Sequence, residues 1–410
     1  MKKSIYFSIL LFSMILLMTN CSKEDALSSQ KEYPSLPTEP YDYKTPPVNI
    51  SSGYSISSNP TTDAGGALGR VLFYDKKLSL NNTVSCGSCH KQAQSFSDGK
   101  QFSKGFQGQQ TMRNAPALVN LLSVSRYFWD RRVSTLEELA LRPVENHIEM
   151  GIEDLDKLSP KLSQYDYYPP LFKEAFGTSE ITPELISNAL AQFMRSMVSF
   201  DSKFDNATGG SGQFSNLELT NPEVYTHLEE KGFELFFSSR TGCSSCHSGG
   251  SGRSFGGGSA NIGLDMDYKD NGMGARPIVE TSTVNGTLVE TIISEGNEEF
   301  NGIFKVPTLR NIALTAPYMH DGRFNTLEEV IDHYSNGVKA HKRLDPRLMD
   351  PASIVNIDIW DNEERDELTE IVPQVKNYTE FEKRALVAFL ETLTDQNYVT
   401  NPKFSNPFDY

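Results

Sequence analysis

Cys86-Gly87-Ser88-Cys89-His90 and, further along, Cys243-Ser244-Ser245-Cys246-His247 are the two stretches that decide how this chain folds. Cys-x-x-Cys-His is the attachment signature of a c-type haem. The two thiols add covalently to the porphyrin vinyl groups, and the imidazole that follows becomes the proximal ligand of the iron. One turn of chain separates the thiols and leaves the histidine to point at the ring centre. A zinc module would use the four thiolates, but it gives no reason for a histidine directly after each pair. A thioredoxin-like redox pair would follow a strand and would not occur twice with histidine. The motifs therefore predict two covalently bound haem c groups, one on Cys86, Cys89 and His90 and one on Cys243, Cys246 and His247.

The surrounding composition agrees. Among 410 residues the only other cysteine is Cys21, so no pair is left for a structural disulfide. A net charge of −15 argues against nucleic acid, because phosphate binding needs a basic surface. The same charge suits a basic protein partner, and it is also a common solubility device. With 22% charged and 38% hydrophobic residues the body is neither disordered nor a multi-span membrane protein. Met1–Asn20 carries Lys2 and Lys3 and then an apolar run, and Cys21 follows at once. That order resembles a bacterial lipoprotein signal, with cleavage before Cys21 and a lipid anchor on its thiol. An uncleaved anchor is the alternative, since Met18-Thr19-Asn20 departs from the usual small-residue pattern. Either way the body is expected to be exported, as a periplasmic or cell-surface lipoprotein, with residues 21–55 as a tether.

The body reads as all-α, with little β-structure. Thr182-Pro183 opens a helix whose apolar face is Ile186, Leu190, Phe193 and Met197. Thr326 with Glu329, and Thr379 with Glu382, are capping boxes that open two more. The best strand candidate is 277–293, a hairpin around Asn285-Gly286. Asp205–Asn216 is rich in Gly, Ser and Asn and reads as a linker; Ser248–Gly263 reads as a flexible loop. Each half carries one Cys-x-x-Cys-His, which predicts two haem domains, residues 56–208 and 216–398.

Six segments resemble the bacterial di-haem cytochrome c peroxidases, a family that includes the MauG enzymes. They are LFYDKKLSLNNTVSCGSCH (72–90), MRNAPALVN (112–120), YFWDRR (127–132), RPVENHIEMG (142–151), GCSSCH (242–247) and VPTLRNIALTAPYMHDGRFNTLEEVIDHYSNG (306–337). The resemblance implies two cytochrome c-like domains, the first peroxidatic and the second serving electron transfer. It implies that Glu149 handles peroxide protons at the first haem and that Glu145, where relatives carry glutamine, shares that pocket. It places Trp129 between the haems as an electron relay. It implies a calcium ion held by Asn114, Thr315 and Pro317, and a haem-propionate contact for His320. His147, His227 and His341 take no role in it and read as surface residues.

Two departures bear on the chemistry. Relatives close the first haem with a histidine in the loop before RNAP; here residues 95–116 contain none, so an open iron is expected, with Met112 the one substitute. At the second haem, Tyr334 stands where MauG has an axial tyrosine, and on a helix from Thr326 it shares a face with Leu327, Val330 and Ile331. Neighbouring His333 is the competing ligand. The expected function is reduction of hydrogen peroxide to water with electrons from a small cytochrome c or cupredoxin. The alternatives are a MauG-like oxidant of a protein or organic substrate and a non-catalytic electron carrier. A homodimer is an allowed assembly.

Overall fold

The computed structural model describes residues 33–39, 41–45, 58–124, 126–209, 219–247, 304–340, 344–354 and 370–408, together with the backbone of three strands at 259–260, 279–284 and 287–292. Met1–Asn20, Cys21, His341 and most of the 248–263 loop lie outside these residues. Among the described residues no helix is long and apolar enough to cross a membrane. Leu36–Pro407 forms one compact unit; in the flanking unit Tyr33 is exposed.

Helices dominate, as expected. The first group is α1 (Asp63–Tyr74), α2 (Cys86–Cys89), α3 (Leu136–Glu145), α4 (Leu158–Leu162), α5 (Tyr168–Phe176) and α6 (Pro183–Arg195). The second is α7 (Lys203–Ala207), α8 (His227–Phe237), α9 (Ser244–His247), α10 (Leu327–Asp332), α11 (Glu380–Glu391) and α12 (Gln396–Thr400). Among the described residues the strands form two antiparallel pairs: β1 (Ser259–Ala260) with β4 (Phe304–Lys305), and β2 (Val279–Val284) with β3 (Thr287–Ile292). The second pair is the anticipated hairpin, closing with Val284 opposite Thr287.

The two groups are built on the same crossing. In the first, α1 lies against α6 so closely that a Cβ on Gly69 would come within 2.0 Å of the Ala189 carbonyl oxygen and 2.7 Å of the Phe193 Cβ. In the second, α8 lies against α11, and a Cβ on Gly232 would come within 1.9 Å of the Ala385 carbonyl oxygen and 2.7 Å of the Phe389 Cβ. A helical glycine costs about 1 kcal/mol relative to alanine, and the backbone contact it permits is what offsets that cost. Each crossing buries an aromatic layer: Phe73 and Phe193 with centroids 5.4 Å apart in the first, Phe236 and Phe389 at 5.0 Å in the second.

All three capped helices start where the sequence predicts. The Thr182, Thr326 and Thr379 side chains accept hydrogen bonds from the Leu185, Glu329 and Glu382 amides. Two expectations change. Asp205 is no linker residue: it closes a capping box on Ser202, opens α7 and pairs with buried Arg310 at 2.6 Å. Tyr43, inside the stretch read as a tether, is fully buried against Phe193, and its hydroxyl donates to the Lys403 carbonyl. The chain's end also packs on the first group: Tyr398 meets Phe96 at 5.7 Å, and Phe404 meets Phe193 at 6.3 Å.

Candidate active site

Each Cys-x-x-Cys-His lines its own apolar cavity. The first, about 250 Å³, is lined by Cys86, Cys89, His90, His147 and Glu149 among others. Its motif is set by a capping box in which the Ser85 amide donates to the Ser88 hydroxyl at 2.9 Å. His90 Nδ1 lies 2.7 Å from the Phe96 carbonyl oxygen. A carbonyl can only accept, so Nδ1 carries the proton and the ring's lone pair sits on Nε2, the atom a metal takes. That carbonyl is delivered by two successive left-handed residues, Ser95 (φ 51°) and Phe96 (φ 59°). Left-handed backbone costs a bulky residue about 1 kcal/mol, and here the strain sits directly behind the ligand. Burial lowers the His90 pKa, which keeps the imidazole neutral as a ligand must be. Burial likewise pushes the Cys86 thiol up to about 12 and Cys89 to about 11. No disulfide joins the four motif cysteines.

Glu149 reaches the same cavity by a short local device. Helix α3 ends at Glu145, and the Asn146 side-chain oxygen then accepts from the amides of Ile148 (2.8 Å) and Glu149 (3.1 Å). This Asx turn folds the chain back, and the Phe106 amide donates to the Glu149 carbonyl oxygen at 3.0 Å. Burial raises the Glu149 carboxyl above the usual range, and Arg132 opposes the shift without cancelling it. Arg132 stacks over Phe128 at 3.6 Å and pairs with Asp130 at 2.8 Å; Arg113 pairs with the same carboxylate at 2.8 Å. Burial raises Asp130, but the two guanidiniums outweigh it and hold it below the ordinary carboxylate range. The structure does not bring Glu145 into the cavity. Its carboxylate lies 3.4 Å from Arg142 on the outer face of α3. Met112 lines the cavity although it is 43% exposed.

The second cavity, about 190 Å³, is lined by Cys243, Cys246, His247 and Tyr334 among others. Here the expected geometry needs revision, because α10 ends at Asp332 and the chain continues as a π turn, His333–Gly337. The widened turn keeps Tyr334 on the cavity wall. His333 is buried, its ring 5.6 Å from Phe324, and it does not line the cavity. The Tyr378 hydroxyl donates to the Thr241 carbonyl beside the motif, and Arg347 bonds the Ser245 carbonyl at 2.8 Å.

Six residues line both cavities: Asn114, Ala115, Pro116, Ala117, Trp129 and Lys305. Trp129 is fixed at two points, its Nε1 donating to the Asn114 carbonyl (2.9 Å) and its own carbonyl accepting from the Lys305 amide (2.7 Å). His320 lies at the second cavity, its ring stacked on Phe304 at 3.9 Å and edge-on to Trp129 at 6.5 Å. Asn114, Thr315 and Pro317 share one wall of the second cavity and offer neutral oxygens only. Sequence reasoning missed four lining residues. His147, read as surface, lines the first cavity, and so do Arg113, Arg132 and Lys305.

The site's donor set fits haem c. Two thiols and an imidazole face each apolar cavity, and the charged lining is mostly cationic: Arg113, Arg132 and Lys305 against Glu149 in the first, Lys305, Arg347 and Lys376 with no carboxylate in the second. That excess, in a chain of net charge −15, suits a cofactor that bears carboxylates.

The family description "Di-haem cytochrome c peroxidase" matches residues 63–213. Methylamine utilization protein MauG of Methylophilus methylotrophus is 33% identical over 280 residues, covering 68% of this chain and 74% of that protein. The chain belongs to the di-haem cytochrome c peroxidase and MauG family. Cytochrome c551 peroxidase of Nitrosomonas europaea is 35% identical over 267 residues, 65% of this chain and 71% of its own. Among solved structures, a MauG-like protein associated with microbial copper homeostasis superposes with a TM-score of 0.65 at 32% identity, covering 91% of this chain and 99% of that one. The di-haem peroxidase BthA of Burkholderia thailandensis, 22% identical with a TM-score of 0.58 over 85% of this chain and 91% of its own, shares the fold. Family membership implies haem c as the cofactor. The relatives include both peroxidases and MauG.

Proposed function

We propose that this protein reduces hydrogen peroxide to water, drawing two electrons and two protons per turnover, with the electrons delivered by a small redox protein such as a cytochrome c or cupredoxin. The observation that carries the reading is a carboxyl with a raised pKa, Glu149, lining the same apolar cavity as the His90 imidazole. Haem bound through Cys86, Cys89 and His90 supplies a redox-active iron at which the O–O bond of peroxide is broken. Glu149 takes a proton from one peroxide oxygen on its carboxylate and returns it to the departing one, and a positioned carboxyl of this kind is worth 10²–10⁴ in rate. Arg132 holds its charge against that carboxyl and favours the ionised, proton-accepting form. The apolar walls keep bulk water from competing at the carboxylate. In this reading the second cavity takes in the electrons: His247 and Tyr334, which line it, are the residues that would hold its metal, and Trp129, in the wall common to both cavities, would pass the electrons to the first. The N-terminal segment and Cys21 make the protein an exported, lipid-anchored enzyme.

A second reading has its own support. Tyr334 lines the second cavity and the relatives include MauG, which favours an oxidant acting on a protein or organic substrate. Steady-state peroxide consumption with a reduced small cytochrome c separates the two. Multiple turnovers with matched donor oxidation support the peroxidase. Stoichiometric reaction with peroxide without donor turnover transfers the case to the second reading, and two haems inert to peroxide end both.

A further inference from the structure

Among the described residues, Lys305 is the only charged one in the wall common to both cavities. It ends strand β4, and its amide donates to the Trp129 carbonyl at 2.7 Å, which fixes its main chain against the indole's own backbone. Among the described residues its ammonium has no carboxylate in ion-pair range. Its nearest charged influence is another cation, Arg131, and burial together with that guanidinium lowers its pKa to about 8. Burying an ammonium without a counter-charge is costly. A lysine kept in this position beside Arg131 therefore implies an anionic partner supplied from outside the polypeptide. The cavities it faces are the two proposed to take haem, whose propionates are carboxylates.

We infer that Lys305 is a shared counter-charge, its ammonium pairing with cofactor carboxylate in the wall beside Trp129 so that one residue sets the electrostatics of both centres. The inference rests on the two-haem reading above and adds to it a residue with no counterpart among the motif ligands. Its consequence is electronic. A positive charge near an iron favours the reduced form, and a unit charge about 10 Å away at an effective dielectric of about 20 alters an equilibrium roughly tenfold. Because Lys305 borders both cavities, its removal acts on both irons, whereas Arg347 borders only the second.

The test is a spectroelectrochemical titration of the purified holoprotein and of Lys305→Met, Lys305→Gln, Lys305→Arg and Arg347→Gln. Intact mass is measured first: two porphyrin increments establish the two-haem reading independently, and their absence overturns that reading rather than this one. The expected result is that Lys305→Met and Lys305→Gln each weaken the reduced state about tenfold at both haems. Lys305→Arg restores both potentials, and Arg347→Gln moves only the second. Unchanged potentials in Lys305→Met and Lys305→Gln, or a change at one haem alone, overturn the inference. Wild-type potentials that move with added acetate or chloride also overturn it, because they assign the ammonium to a free anion.

Discussion

Glu149→Gln separates chemistry from architecture at this site, because the hydrogen bonds that place residue 149 are made by its main chain. The amide donates to Asn146, and the carbonyl accepts from Phe106. Glutamine keeps both bonds and nearly the same volume while losing the exchangeable proton. A rate loss of 10²–10⁴ in the reaction with peroxide is expected, or about 3–5 kcal/mol of barrier. The pH profile gives a second reading. The carboxyl is raised by burial, so the wild-type rate should climb with pH through a limb lying above the ordinary glutamate value of about 4.3, and glutamine should abolish that limb. Arg132→Gln should move the limb higher still, since Arg132 opposes the shift. Stability runs the other way. A carboxyl whose folded pKa lies above its unfolded value stabilises the fold only at low pH, and that contribution disappears as pH rises through the folded pKa. Ionised Glu149 is thus a cost at neutral pH, and Glu149→Gln should melt no lower than wild type there. Stopped-flow mixing of the reduced holoprotein with peroxide, paired with thermal unfolding, measures both. A variant with two haems and a rate within threefold of wild type would remove Glu149 from the mechanism.

Gly69→Ala and Gly232→Ala should each destabilise by about 1–3 kcal/mol in denaturant unfolding, because the new methyl meets a backbone carbonyl that cannot swing aside. Asp205→Ala removes the 2.6 Å partner of buried Arg310 and should cost about 3–5 kcal/mol in the same assay. Tyr334→Phe should alter the optical and EPR signature of one haem and spare the other, whereas His333→Gln should alter neither; the reverse outcome would make His333 the ligand. Trp129→Phe should leave peroxide binding intact and slow electron exchange between the haems, read by rapid-freeze EPR.

The parts of this molecule written in local chemistry are legible in its sequence. A Cys-x-x-Cys-His needs only neighbouring residues to declare itself, and a threonine three residues before a glutamate satisfies its own helix end, as Thr326 and Thr379 do. The parts that depend on distant partners are not. Gly69 reads as a weak point in a helix until Ala189 is seen against it. Asp205 sits at the head of a Gly/Ser-rich run and reads as linker, because Arg310 is 105 residues away. His147 looks like any polar residue after a helix; the Asx turn made by Asn146 is what folds its segment over the cavity, and that turn was the one available signal. Tyr334 was legible for an incomplete reason. The chain leaves the α-helix for a π turn at His333, which the apolar spacing does not announce, and there Tyr334 lines the cavity while His333 is buried off its wall.

The placement of charge ties these observations together. The chain carries a large excess of carboxylates, yet among the described residues each cavity is lined by three Lys or Arg side chains, with Glu149 the only carboxylate on either wall. A single acid in an otherwise cationic, apolar enclosure does two things at once. Among the described residues it is the one lining carboxyl available for the proposed proton relay, and its raised pKa makes its ionisation responsive to any change in the surrounding positive charge. Arg132 lies on Glu149's side of the first cavity and Lys305 in the wall shared with the second. Gain or loss of an electron at either centre changes the charge that this wall must balance. In the proposed mechanism, proton relay at Glu149 and electron delivery through Trp129 would then be coupled electrostatically across one shared partition. Arg132→Gln and Lys305→Met, made singly and together, measure that coupling: the pair should depart from additivity in the peroxide rate, and strictly additive effects would show two independent devices.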